Sequence, residues 1–194
     1  MRVDSTFSLR PSSTAPDFAL PNASGKIVTL DEARGSLGTI VFFACNHCPY
    51  VIHLASELGE FADRAAALRV ETICINSNDL AAYPQDGPEF MKEFAATHKW
   101  NFPYLIDETQ AIAKAYGAAC TPDFFLFDEN LALFYAGQFD DSRPKNGSFA
   151  TGSDLQEAID RMLDGEAPPT STKPASGCNI KWKPGQEPQW FCAP

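Results

Sequence analysis

No stretch of this chain approaches the about eighteen consecutive apolar residues that a membrane-crossing helix needs, and its opening, Met1-Arg2-Val3-Asp4-Ser5-Thr6, lacks the apolar segment of a secretory signal. The reading is a cytoplasmic protein. A basic surplus is missing too: 25 acidic side chains against 15 lysines and arginines leave a formal net charge of −10. Nucleic acid and anionic membrane are therefore not expected as partners, because both call for a basic patch that displaces counterions. Cysteine is scarce for a disulfide-dense scaffold, with six in 194 residues and each in a different context. Zinc would need a second close ligand pair, whereas Cys120, Cys178, Cys192, His53 and His98 are scattered. The expectation is no metal and no cofactor.

What is present is 44% hydrophobic residues in a length that suits one well-buried α/β domain. The most informative feature is Cys45-Asn46-His47-Cys48, which follows the apolar run 39–44 and precedes a helical pattern over 49–67. Two thiols thus stand at a strand-to-helix junction, close enough to form a short disulfide, with unpaired helix N–H groups that favour thiolate over thiol at Cys45. Val51, Leu54, Ala55, Leu58, Phe61, Ala62 and Ala65 recur at helical spacing and predict the buried face of that helix.

Along the rest of the chain, residues 17–30 read as strand, turn, strand, with the turn at Asn22-Ala23-Ser24-Gly25. Residues 70–76 alternate as a strand, and a helix follows from Pro88 to about His98 with proline at its first position. A short strand at 103–106 and a helix over 107–116 stopped by Gly117 come next, then strands at 123–127 and 131–136 joined at Asp128-Glu129-Asn130. The last helix opens at Ser153, with Gln156 in the capping-box position. This order predicts an α/β fold: a mixed central sheet with helices on both faces, an N-terminal β-hairpin lead-in and an irregular C-terminal tail. The divisions are 1–13 as an extension, 14–165 as the domain, and 166–194 as a Pro-rich tail whose Trp182 and Trp190-Phe191 drape it over the domain.

The 17–30 lead-in, the strand ending in C-x-x-C, and Thr121-Pro122 just before the 123–127 strand resemble the thioredoxin superfamily in its peroxiredoxin-like (alkyl hydroperoxide reductase/thiol-specific antioxidant) branch. The likeness covers roughly residues 14–165 and implies a thioredoxin-like fold. It also implies that Pro122 is cis and, with Thr121, shapes the groove where a substrate lies against the dithiol. The tail 176–183, Ser-Gly-Cys-Asn-Ile-Lys-Trp-Lys, is similar to the ending of a subgroup that shares C-x-x-C-P.

The expected activity is thiol–disulfide exchange on a protein or small-molecule disulfide, with a thiol reductant as partner. Cys45, exposed at the helix end, is the nucleophile, Cys48 is the shielded resolving thiol, and a protonated His47 lowers the Cys45 pKa. A peroxidase reading stands beside it, in which Cys48 reduces a hydroperoxide through a sulfenic acid. By the resemblance a threonine belongs three residues and a proline seven residues before the reactive cysteine. Cys45 and Val41 hold those places, and no arginine precedes the 123–127 strand. A third reading is a redox-sensing or binding module without turnover.

Cys120 and Cys178 are candidate additional redox thiols. Cys120 reads equally as packing, and Cys178 either swings in to resolve or pairs with Cys120 or Cys192. Cys74 reads as an inert core thiol. Asp140-Asp141-Ser142-Arg143-Pro144 reads as a salt-bridged surface loop.

Overall fold

The computed structural model describes residues 1–191, and Cys192 lies outside them. Its elements in chain order are β1 (Arg2–Asp4), β2 (Ala19–Pro21), β3 (Ile27–Thr29), α1 (Leu30–Ala33), β4 (Gly38–Phe43), α2 (Pro49–Ala67), β5 (Val70–Asn76), α3 (Pro88–Thr97), β6 (Tyr104–Ile106), α4 (Ala111–Tyr116), β7 (Cys120–Thr121), β8 (Asp123–Asp128), β9 (Leu133–Gly137), α5 (Ser153–Leu163) and β10 (Ser176–Asn179). Five strands form the central sheet in the order β6-β5-β4-β8-β9, with β4, β5 and β6 parallel and β8 and β9 antiparallel. β4 is central and every one of its residues is buried, as its apolar, β-branched and aromatic run requires. This is a thioredoxin-like fold, with the mixed sheet and hairpin lead-in expected from the sequence.

Two apolar clusters flank the sheet. On one face α2 presents its predicted stripe, all seven residues buried, and Phe42 stacks on Phe124 with ring centroids 5.2 Å apart. On the other, Val41, Phe43, Ile73 and Ile75 pack with Tyr116, and the tail supplies Ile180 and Trp182.

Two expectations are corrected. The helix expected over 107–116 begins only at Ala111, because the buried Asp107 carboxylate accepts from the backbone N–H groups of Ile112 and Ala113 and from Ser77 Oγ, while Gln110 turns at φ 63°. The capping box expected at Ser153 and Gln156 does not form: Gly152 is the N-cap, and Gln156 Nε2 donates to Asp160 instead. Gly152 has φ +70°, and a Cβ there would meet Phe61 and Phe139 at 2.7 Å, so backbone and packing both call for glycine. A capping box does occur at Thr29 and Glu32, where the sequence reading marked none.

The tail is irregular for most of its length, but four of its residues form β10. That strand lies between β1 and β7 in a second, three-stranded antiparallel sheet. Among the described residues no helix is long and apolar enough to cross a membrane.

Candidate active site

β4 delivers Cys45 two residues beyond its end, and Pro49, with no N–H to satisfy, opens α2 directly after Cys48, its N-cap. The Thr121–Pro122 bond is cis, as the resemblance implied, and Thr121 faces the dithiol. Cys48 Sγ lies 3.1 Å from the Thr121 carbonyl oxygen, and Cys45 Sγ lies 3.7 Å from Thr121 Oγ1.

Cys45 is not exposed, contrary to expectation: it is 1% accessible and Cys48 0%. The tail is what occupies the edge of Thr121, with Cys178 opposite Thr121 in antiparallel register. Cys178 is only half-buried. Three cysteines therefore meet at Thr121. Hydrogen bonds from Cys178 and then from Cys45 hold the Cys48 thiol far below its ordinary pKa. Cys45 moves the other way, first because it gives its proton to that bond, then through burial and the nearby Asp86 charge. Cys178 is raised by its bond to Cys48 and by burial.

His47 is directed elsewhere than expected. Its Nδ1 lies 2.7 Å from Asp86 Oδ2, and its ring stacks on Tyr83 with centroids 5.5 Å apart. Asp86 is fully buried, and its Oδ1 also accepts from the backbone N–H groups of Asn46 and His47 while its Oδ2 accepts from Asn78 Nδ2. Tyr104 adds a bond to Asn46 Oδ1. Sequence reading missed Asp86, Asn78, Tyr83 and Tyr104; the only signal was their place in or beside turn-rich loops. Cys45, His47 and Asp86 have donor atoms within 4.8 Å of one another, the spacing of a metal cluster. The four hydrogen bonds on Asp86 make it an anchor for the C-x-x-C loop and leave its oxygens poorly free for a cation.

Cys120 has its own hydrogen-bond partner. It is fully buried, donates to the Pro122 carbonyl oxygen at 3.5 Å, and is pushed well above the usual thiol range by burial; burial does the same to Cys74. The 140–144 loop is not held chiefly by salt bridges. Asp140 ties it by accepting from the backbone N–H groups of Ser142 and Gly152, and Arg143 donates to the carbonyl oxygens of Asp140 and Ser142; the exposed Asp141–Lys173 pair is peripheral.

Residues 11–136 match the model of the AhpC/TSA family, well over half of the chain. The chain belongs to the AhpC/TSA family. Its relatives within that thiol-based group differ in chemistry by name. This AhpC/TSA protein is 28% identical over 121 residues to the thiol-disulfide oxidoreductase ResA of Geobacillus thermodenitrificans, covering 61% of the present chain and 63% of ResA. It is 26% identical over 105 residues to the chloroplastic peroxiredoxin Q of Oryza sativa subsp. japonica, covering 54% of this chain and 45% of that one. The matches thus span less than two thirds of either relative's length. A crystal structure of an uncharacterized conserved protein from Geobacillus kaustophilus superposes with a TM-score of 0.91 at 46% identity, covering 95% of this chain and 98% of that one.

Proposed function

We propose that this protein is a thiol–disulfide oxidoreductase whose redox centre is the dithiol of Cys45 and Cys48. The observation that carries the reading is the meeting of both sulfurs with Thr121, within 3.1 Å and 3.7 Å of its oxygens, at the end of the central strand. A thiolate of the pair attacks a substrate disulfide, expelling one substrate thiolate and forming a mixed disulfide. The second cysteine then displaces the other substrate sulfur, leaving Cys45–Cys48 oxidised, and a thiol reductant reverses the sequence. Asp86 and His47 position the loop, and Thr121 and Pro122 form the facing wall.

A second reading is favoured by the place of Cys48 at the N-cap of α2. A low-pKa thiolate at a helix N-terminus is the group that attacks a hydroperoxide, giving Cys48 sulfenic acid and an alcohol or water. One experiment separates the two: reduced protein, Cys45→Ser and Cys48→Ser are each mixed with one equivalent of oxidised glutathione or of cumene hydroperoxide, and products are followed by rapid-quench mass spectrometry. Disulfide exchange predicts that both variants lose turnover with the disulfide, and that the hydroperoxide reacts no faster than with an ordinary thiol. Fast sulfenic acid formation on Cys48 that survives Cys45→Ser would instead establish the peroxidase.

A further inference from the structure

The dithiol is sealed. Cys45 and Cys48 are 1% and 0% accessible, and the backbone edge of Thr121 that an extended substrate would pair with is already taken by the chain's own β10. The seat is closely built. A Cβ on Gly177 would lie 2.0 Å from the Thr121 carbonyl oxygen, so glycine alone allows the strand to come this close. Thr121 Oγ1 donates to the carbonyl oxygen of Cys178, and β1 pairs along the far side of β10. Immediately downstream, Lys181 N–H donates to Asn78 Oδ1, and the Lys181 carbonyl oxygen accepts from Asp79 N–H and Gln110 Nε2. Asn78 is also bound to Asp86, so the tail and the C-x-x-C loop share one hydrogen-bonded support.

The segment so held presents a cysteine. From its register against Thr121, whose carbonyl oxygen lies 3.1 Å from Cys48 Sγ, and from its half-exposed position, we propose that β10 is a tethered internal substrate and that Cys178 is the third member of a thiol relay, carrying redox equivalents between the sealed dithiol and the surface. This rests on the dithiol reading above. Starting from the Cys45–Cys48 disulfide, the Cys178 thiolate attacks Cys48 Sγ, the sulfur next to its pairing partner Thr121. The Cys45–Cys48 bond breaks, a Cys48–Cys178 bond forms, and Cys45 leaves as thiolate and takes up the proton that Cys178 gave up. No electrons enter or leave in this step. With Cys48 in a disulfide, its charge no longer opposes ionisation of Cys178, and the neighbouring Lys181 ammonium favours it. A dithiol reductant then attacks the accessible Cys178 Sγ, expelling Cys48 as thiolate. Its second thiol displaces Cys178, so two electrons pass to the protein and the reductant leaves as a disulfide.

The test uses the full chain, oxidised with one equivalent of diamide, quenched in acid, alkylated and mapped by peptide mass spectrometry. The expected map contains Cys45–Cys48 and Cys48–Cys178 as two forms of the singly oxidised protein. Cys45→Ser converts entirely to Cys48–Cys178 with loss of two thiols. Gly177→Ala, which pushes β10 off Thr121, removes the Cys48–Cys178 form and keeps Cys45–Cys48, which a merely structural role for Cys178 would not produce. A wild-type map holding Cys45–Cys48 alone, or with Cys178 bridged to Cys120 or Cys192, overturns the relay and leaves the dithiol reading intact. A map in which neither Cys45 nor Cys48 is oxidised overturns both. The wild-type map decides the matter even where a variant fails to fold.

Discussion

The junction that carries Cys45 and Cys48 and the tail that carries Cys178 meet at the same residue, Thr121, but are held there by different means. The junction is built from long elements: β4 pairs with β5 over six residues and with β8 over six more, and α2 buries one full face. The tail contributes four residues paired with strands of three and two, and beyond them it depends on individual clasps from Asn78 and Gln110 and on two buried side chains, Ile180 and Trp182. Opening the junction means breaking the core, whereas opening the tail means breaking a short sheet and a few side-chain contacts. A site assembled from one rigid and one detachable wall can hold its thiols sealed and still release one of them.

The strongest way to break this contrast is at Asp86, which belongs to both walls. Asp86→Ala leaves two backbone N–H groups and the Asn78 amide without their buried acceptor, a cost of about 5 kcal/mol. Urea denaturation is expected to show that loss. A loss near 1 kcal/mol would mean that the C-x-x-C loop holds its shape without this anchor, and that tail and junction are not joined through it.

Asp123, directly after Pro122, tests the floor beneath the second sheet by pH. Burial raises its pKa from 3.8 to about 7, against bonds from Ser5 Oγ and the Ala119 N–H that lower it. Between about pH 4 and pH 7 the folded protein keeps this proton while the unfolded chain releases it. Its contribution to stability therefore falls as pH rises through that window, by roughly 4 kcal/mol in all, and stays at the lower level above it. Unfolding midpoints from pH 4 to 8 are expected to decline more steeply for the wild type than for Asp123→Asn. Parallel profiles would show that the carboxyl ionises in the fold at its ordinary pKa.

The division between the walls is also the division between what was legible in the sequence and what was not. β5 and α2 have the bounds read from alternation and from the helical stripe, and β4 lies within one residue of its apolar run, because each is dictated by its own residues. Cys45 and Cys48 followed from those elements, and Pro122 from the family resemblance. Asp86 gave no such signal: its partners at Asn46 and His47 lie about forty residues earlier in the chain, and only tertiary structure brings them together. Ser176-Gly177-Cys178-Asn179 has none of the β-branched or aromatic content of a strand, and becomes one because Thr121 and Cys120 offer it an edge. Asp107 shortened α4 in the same manner, by caps that local pattern does not contain.

Trp182→Ala addresses the detachable wall alone and carries the smallest of these effects. The ring is 8% exposed, packs with Ile180 on the far face of the sheet, and has Lys114 Nζ 5.9 Å from its centroid. Truncation removes about 3 kcal/mol of packing. If the tail opens independently, that loss falls on the opening step, so the population with β10 detached rises by roughly two orders of magnitude. The global midpoint then hardly moves, while alkylation of Cys178 by iodoacetamide and hydrogen exchange at the Lys181 N–H both accelerate and Cys45 stays protected. If the global midpoint falls by the full amount and Cys178 reacts no faster, the tail belongs to the same cooperative unit as β4 and α2. The seal over the dithiol would then be as rigid as the core, and Cys178 would reach Cys48 only in the geometry it already holds.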